Sequence, residues 1–309
     1  MIRTELRDIR KVLLATGVSS ESIGPALAAR RFATLFNAAL HVVHVVEPVH
    51  DPDEKALPGL TDAHSRAARE ELGRFAASHA LDRDCTLHVP RGRTIDEISR
   101  LGVSLGADLL IIGRYGKGGL KRGALGSNAD ALARQFPASI LIVPPEYRGS
   151  FSRVGAATDF SDDAWLAVRR AADLNARLAR LAEVPTLHAF AVPSGYQHLG
   201  SWEDACKRVD AQRRAEAADL SRRVERELPG SKLTLLIREG APPRTLPKLA
   251  AEAKLDLLVI TTHGRTHPEA ALLGRTAESV IRNAPCAVWV EKSAANVHAL
   301  AHSLSQLLR

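Results

Sequence analysis

Residues 106–145, GADLLIIGRYGKGGLKRGALGSNADALARQFPASILIVPP, decide the reading of this chain, because residues 254–292, KLDLLVITTHGRTHPEAALLGRTAESVIRNAPCAVWVEK, repeat their plan. Asp108 aligns with Asp256, Gly116 with Gly264, Gly126 with Gly274 and Pro137 with Pro285, each pair 148 residues apart. Gly92 and Gly240 keep that separation upstream, and KVLLATGVSS (11–20) matches RVGAATDFSD (153–162) at a separation of 142. Several positions recurring in order at one spacing mark an internal duplication.

Each copy alternates short apolar runs with longer amphipathic stretches. The first predicts strands at 11–15, 40–47, 86–89, 108–113 and 139–143, with helices at 23–36, 61–79, 94–105 and 127–136. The second predicts strands at 154–157, 186–192, 232–238, 256–261 and 286–291. Five strands separated by helices require right-handed βαβ crossovers, hence a parallel sheet. Runs such as LLII and LLVI suit strands buried on both faces. The fold class is therefore α/β, with two tandem doubly wound domains at 1–147 and 152–292, joined by the turn-rich stretch 144–153. In the tail, 293–309, Val297, Leu300, Leu304, Leu307 and Leu308 recur at three- and four-residue steps. They form one apolar helix face, expected to be buried on the tail's own domain or on a neighbouring subunit.

Composition narrows the function. A chain of 309 residues with 45% hydrophobic and 25% charged residues can build two packed cores, and with only 4% aromatics those cores must be aliphatic. The net charge of +7 is spread along helical stretches such as 208–226, where Arg alternates with Glu and Asp. With no basic tail and no aromatic-rich strand, no nucleic-acid partner is expected. Cys85, Cys206 and Cys286 stand apart without a CxxC pair, so neither a disulfide framework nor a thiolate zinc site is expected. The start lacks a signal-peptide core and the apolar runs are too short to cross a bilayer, which points to the reducing cytoplasm.

Ligands of open α/β sheets bind at the carboxyl ends of the strands. There the first copy carries Gly113-Arg-Tyr-Gly116, nine residues, then Gly126-Ser127 opening a helix. Glycines let a backbone approach a ligand closely, and the N–H groups of a helix start suit a phosphate. Lys117, Lys121 and Arg122 lie within the loop. The same residues also serve as ordinary turn and cap punctuation. Neither a GxxxxGK[ST] loop nor a GxGxxG after the first strand occurs, which disfavours P-loop and dinucleotide chemistry.

The pattern G-x2-G-x9-G-S followed by a helix, with Pro entering the last strand, resembles the ATP loop of the universal stress proteins. ATDFS (157–161), THGR (262–265) and APCAVWV (284–290) are similar to that family's opening and closing motifs. The resemblance implies an adenine nucleotide alpha hydrolase-like fold with strand order 3-2-1-4-5. It also implies pairing of domains through their last strands, here 139–143 and 286–291, within the chain or in a homodimer. The implied cofactor is ATP or another adenine nucleotide (ADP or AMP), with or without Mg, in a cytoplasmic stress-response protein with no established reaction.

Carried over residue by residue, the resemblance implies a first-copy site of Thr16, Val45, Ile112, Gly113, Gly116, Gly126, Ser127 and Asn128. The second-copy equivalents are Asp159, Ala189, Gly264, Gly274, Arg275 and Thr276. Each copy departs from the family. The first has Gly17 where the acid stands, and the second has Thr261 and Arg275 in place of the first Gly and the Ser. Losing the acid removes one charge-assisted hydrogen bond, about 1.5–3 kcal/mol, whereas a β-branched side chain in the loop obstructs it. The first copy is therefore the expected binder, acting as a ligand-responsive regulator. The alternatives are a slow ATPase or nucleotidyl-transfer enzyme on the same fold, and a ligand-free interaction module.

Other polar residues point to no chemistry. His41 and His44 lie three apart on a predicted strand, so they face opposite sides and cannot share a metal. His263, His267 and Glu269 lack further ligands at zinc spacing, and His298 and His302 read as helix-surface polarity. Asp96 and Glu97 favour the positive end of a helix, and Cys286 reads as core. No acid–base pair or triad emerges, so no catalytic residue and no metal ligand is assigned.

Overall fold

The computed structural model describes residues 6–49, 51–81, 85–115, 125–198, 200–262 and 273–307. The chain divides into two units, one holding Arg7–Gly149 with the C-terminal helix, the other Ser150–Ser293.

The first unit runs β1 (Lys11–Ala15), α1 (Ile23–Phe36), β2 (Ala39–Val43), α2 (Asp51–Ala56), α3 (Leu60–Ser78), β3 (Cys85–His88), α4 (Thr94–Leu105), β4 (Leu109–Gly113), α5 (Ser127–Gln135) and β5 (Ser139–Val143). Its strands are all parallel, in the order β3-β2-β1-β4-β5. Leu109–Ile112 and every residue of β5 are buried. Fully burying a Leu or Ile side chain is worth about 1.5–3 kcal/mol, so this aliphatic centre drives the fold.

The second unit runs β6 (Val154–Ala157), α6 (Asp162–Leu178), β7 (Glu183–Phe190), α7 (Trp202–Glu227), β8 (Lys232–Glu239), α8 (Pro242–Glu252), β9 (Leu257–Thr261), α9 (Arg275–Asn283) and β10 (Ala287–Glu291). It repeats the parallel order as β8-β7-β6-β9-β10. The arginines of α7 sit among acids at helical spacing, as in Arg214–Asp210 at 2.6 Å and Arg213–Glu216 at 2.5 Å.

The repeated Asp acts at the entry end of each sheet. Asp108 accepts hydrogen bonds from the N–H groups of Arg10 (2.9 Å) and Lys11 (3.0 Å). Asp256 does the same for Ser152 (2.7 Å) and Arg153 (3.0 Å). Each carboxylate thus pins the first strand beside the fourth. The repeated Gly is also structural. Gly92 and Gly240 have φ near +147° and +140°. A Cβ there would sit 2.7 Å from Glu97 Oε1 and 2.4 Å from Thr245 Oγ1, so any other residue would be strained.

Several boundaries differ from the sequence reading by a residue, and two strands differ by more: the one expected at 186–192 runs Glu183–Phe190. The strand expected at 40–47 ends at Val43, and only a single bridge from Val46 to Arg91 continues the pairing. Pro90 explains this, because it has no N–H to donate. Its counterpart Arg238 pairs with Ala189, and β7 and β8 each run eight residues. A short helix, α2, also occupies part of what the sequence left unassigned.

The tail forms α10 (Ala294–Leu307). It groups with Arg7–Gly149 rather than with the copy it follows in sequence, and it packs against α4. Leu304 is buried and Val297 and Leu300 are half-buried, while Leu308 lies outside the described residues. Among the described residues, no helix is long and apolar enough to cross a membrane.

Candidate nucleotide site

In the first copy the carboxyl ends of β1 and β4 frame the candidate site. Past β1, Thr16 Oγ1 accepts the Val18 N–H at 3.0 Å, closing a turn in which Val18 has φ of +51°. A β-branched residue rarely adopts that conformation, so the turn is held by its surroundings. The Thr16 carbonyl faces His44 Nδ1 at 2.9 Å; a carbonyl only accepts, so Nδ1 carries the proton. Val45 lies half-buried just beyond β2.

At the end of β4, Ile112 is buried and Gly113 closes the strand. The Arg114 N–H donates to the Val143 carbonyl at 2.9 Å, and the Arg114 carbonyl accepts the Gly126 N–H at 3.0 Å. The two ends of the glycine loop are thereby tied together. Gly126 precedes α5 and has no side chain of its own to cap it, while Ser127 and Asn128 are exposed. The first-turn N–H groups of α5 and the helix dipole thus stand where an anion would be stabilised. Gly116, Lys117, Lys121 and Arg122 lie outside the described residues.

The second copy repeats this skeleton. Thr158 Oγ1 accepts the Phe160 N–H at 3.0 Å, His188 Nδ1 donates to the Thr158 carbonyl at 2.8 Å, and the Gly274 N–H donates to the Thr262 carbonyl at 3.0 Å. The side chains on it differ. Asp159 accepts from the Ser161 N–H (3.0 Å) and hydroxyl (2.5 Å). The Phe160 ring lies 4.4 Å from the His188 ring, which Phe190 flanks at 6.4 Å. His188 is only 4% exposed, its Nε2 has no hydrogen-bond partner among the described residues, and burial pushes its pKa below the ordinary imidazole range. Ala189 is buried within β7 rather than standing beyond a strand end.

Thr261 ends β9 where the first copy has Gly113. In the first copy a Cβ at that place would meet the Tyr115 carbonyl at 3.2 Å and Pro25 Cγ at 3.5 Å. The obstruction expected from the sequence therefore falls first on the loop's own backbone and the start of α1. Arg275, the first residue of α9, is exposed and puts a cation at a helix N-terminus, which the dipole disfavours. Thr276 follows it, half-buried. Gly264 lies outside the described residues, as do His263, His267 and Glu269.

Three residues beside the candidate loops were not legible as neighbours of them. Arg114 is only 5% exposed, so the fold holds a buried guanidinium at the start of the first-copy loop. Phe160 and Phe190 cover His188 only because strand, turn and neighbouring strand converge. The signal for Arg114 was its place directly after Gly113; the aromatic pair gave none. Among the described residues no three potential metal ligands cluster.

The sequence model of the Universal stress protein family matches residues 8–144 and again 150–292. A universal stress protein of Methanocaldococcus jannaschii is 31% identical over 146 residues, covering 46% of this chain and 82% of that protein. A universal stress protein of Archaeoglobus fulgidus superposes with a TM-score of 0.66 at 19% identity, covering 91% of this chain and 98% of that one. A functionally unknown protein of Pseudomonas aeruginosa gives the same TM-score and identity, with coverages of 96% and 98%. With both halves of the chain matched in tandem, and with the parallel order of strands in each, the chain belongs to the universal stress protein family.

Proposed function

We propose that the first copy binds one adenine nucleotide, alone or as its magnesium complex, and that occupancy makes the protein a ligand-responsive regulator in the cytoplasm. The observation that carries this reading is the closure of the first-copy loop, the Gly126 N–H on the Arg114 carbonyl, at a start of α5 whose cap residue has no side chain. Phosphate oxygens placed there would accept from first-turn N–H groups and from Ser127. Gly113 keeps β4's exit free of a side chain, and Val45 offers an apolar surface to the base. Residue 17 is Gly, so this copy lends magnesium no carboxylate at that position, and the ion would be held by phosphates and water.

In the second copy the same place holds Thr261, Arg275 and the Phe160–His188 contact. These features favour the first copy as the working site. Isothermal titration with ATP on the purified chain tests the assignment. Gly113→Thr, which installs the second copy's own residue, should abolish binding while the protein stays folded. Undiminished binding in that variant, with loss in Asp159→Ala, would move the site to the second copy.

Pairing of the two copies within one chain belongs to the same proposal and rests on the apolar sequences 139–143 and 286–291. Hydrogen exchange as fast at those amides as in an exposed strand would refute it.

A further inference from the structure

Sequence spacing sets His41 only against His44, which it excludes as a partner, and the sheet gives it another neighbour. On the sheet His41 stands opposite Thr86, and His88 opposite Val43, so His41 and His88 lie on one face of adjacent parallel strands. His41 Nδ1 is 3.2 Å from His88 Nε2, and the ring centroids are 5.4 Å apart, tilted by 36°. We propose that these two imidazoles form a binding site for a divalent late first-row transition metal ion, Zn²⁺ or Cu²⁺, completed by water.

The geometry carries the proposal. Metal–imidazole bonds of about 2.0–2.1 Å place two nitrogens roughly 2.9 Å apart at a right angle and about 3.3 Å apart at a tetrahedral angle. The observed separation lies between those limits, so the strands need not move. The 5.4 Å centroid distance shows the two nitrogens aimed at each other, so both rings must rotate to turn their lone pairs onto the ion. One of the two facing nitrogens must already present a lone pair, because only one can donate to the other. Binding then needs the shared proton to move to the far nitrogen of its own ring, with no net proton release from neutral imidazoles. Both side chains are half-buried, which leaves water access for the open positions. Imidazole suits Zn²⁺ and Cu²⁺, and affinity in such sites peaks at Cu²⁺.

No third His, Cys, Asp or Glu joins the pair among the described residues, so the site is labile rather than a closed structural centre. Lys11 is the cation nearest in effect on His41, but its ammonium donates to the Leu105 carbonyl at 2.7 Å. The pair stands on β2 and β3 and makes no use of the nucleotide assignment.

The full chain, stripped of metal with a chelator, would be titrated with CuCl₂ and followed by electron paramagnetic resonance, and with ZnCl₂ by calorimetry. Wild type should give a copper signal with imidazole nitrogen couplings at one equivalent. His41→Ala and His88→Ala should each weaken the metal at least tenfold, and His41→Asn should do the same should the alanine variant misfold. A His298→Ala, His302→Ala double variant, which removes the i, i+4 pair of α10, should bind as wild type does. Unchanged affinity in the β2 and β3 variants, or loss confined to the α10 variant, would overturn the proposal and leave the contact an N–H···N hydrogen bond only.

Discussion

Gly113 and Thr261 differ by a β-branched side chain at the exit of equivalent parallel strands. The Cβ that Gly113 lacks would come to 3.2 Å from the Tyr115 carbonyl, a close contact before any ligand arrives. Gly113→Thr is therefore expected to remove nucleotide binding. Ser127→Ala should cost only about 1 kcal/mol, roughly a fivefold rise in Kd by titration, the net worth of one ordinary hydrogen bond.

Lys292 is a different residue-scale case. It is 1% exposed, and burial pushes its pKa from 10.5 down to about 7. Between those values the unfolded chain holds a proton that the folded chain does not, so stability must rise with pH across that window. Urea midpoints at pH 7 and near pH 9.5 should show the rise, and Lys292→Met should flatten it.

At the scale of elements, the two copies solve one packing problem in two ways. Ala28, Leu141 and Val143 of the first copy correspond to Arg170, Trp289 and Glu291 of the second, and all six are buried. Arg170 Nε donates to Glu291 at 3.0 Å, and Trp289 Nε1 donates to the same carboxylate at 2.6 Å. The guanidinium also lies 5.4 Å from the centroid of the Trp289 ring. Removing Glu291 leaves the buried guanidinium to the half-buried Asp173 at 3.4 Å, so Glu291→Ala should destabilise by up to about 3–5 kcal/mol. Changing Arg170→Ala and Glu291→Val together should cost less than the sum of the single changes in a double-mutant cycle. The last helix offers an element-scale test as well. Truncation after Ser293 removes Leu304 from its buried place and uncovers α4, so the melting temperature should fall.

For the whole molecule, duplication of a fold need not mean duplication of a site. A stoichiometry near one nucleotide per chain is expected, and two would show that Thr261 and Arg275 are tolerated. Multiple-turnover phosphate release is not expected, because the described loop ends supply phosphate donors without a positioned base. Turnover of several per second, lost in Ser127→Ala, would favour the enzyme reading.

The sequence by itself determined the architecture, since the duplicated spacing, the apolar strand runs and the helical intervals leave a doubly wound parallel sheet as the only arrangement that buries them. It also placed Gly113, Gly126 and Ser127 around one loop, because sequence order and strand polarity bring them together. It could not find the shortened β2, whose cause is Pro90 on the neighbouring strand, or the home of α10, whose apolar face fits more than one surface. The contacts of Phe160 with His188 and of His41 with His88 were equally hidden. Periodicity reports which face of its own element a residue occupies, while such contacts depend on the register between elements far apart in sequence. Only the tertiary structure sets that register.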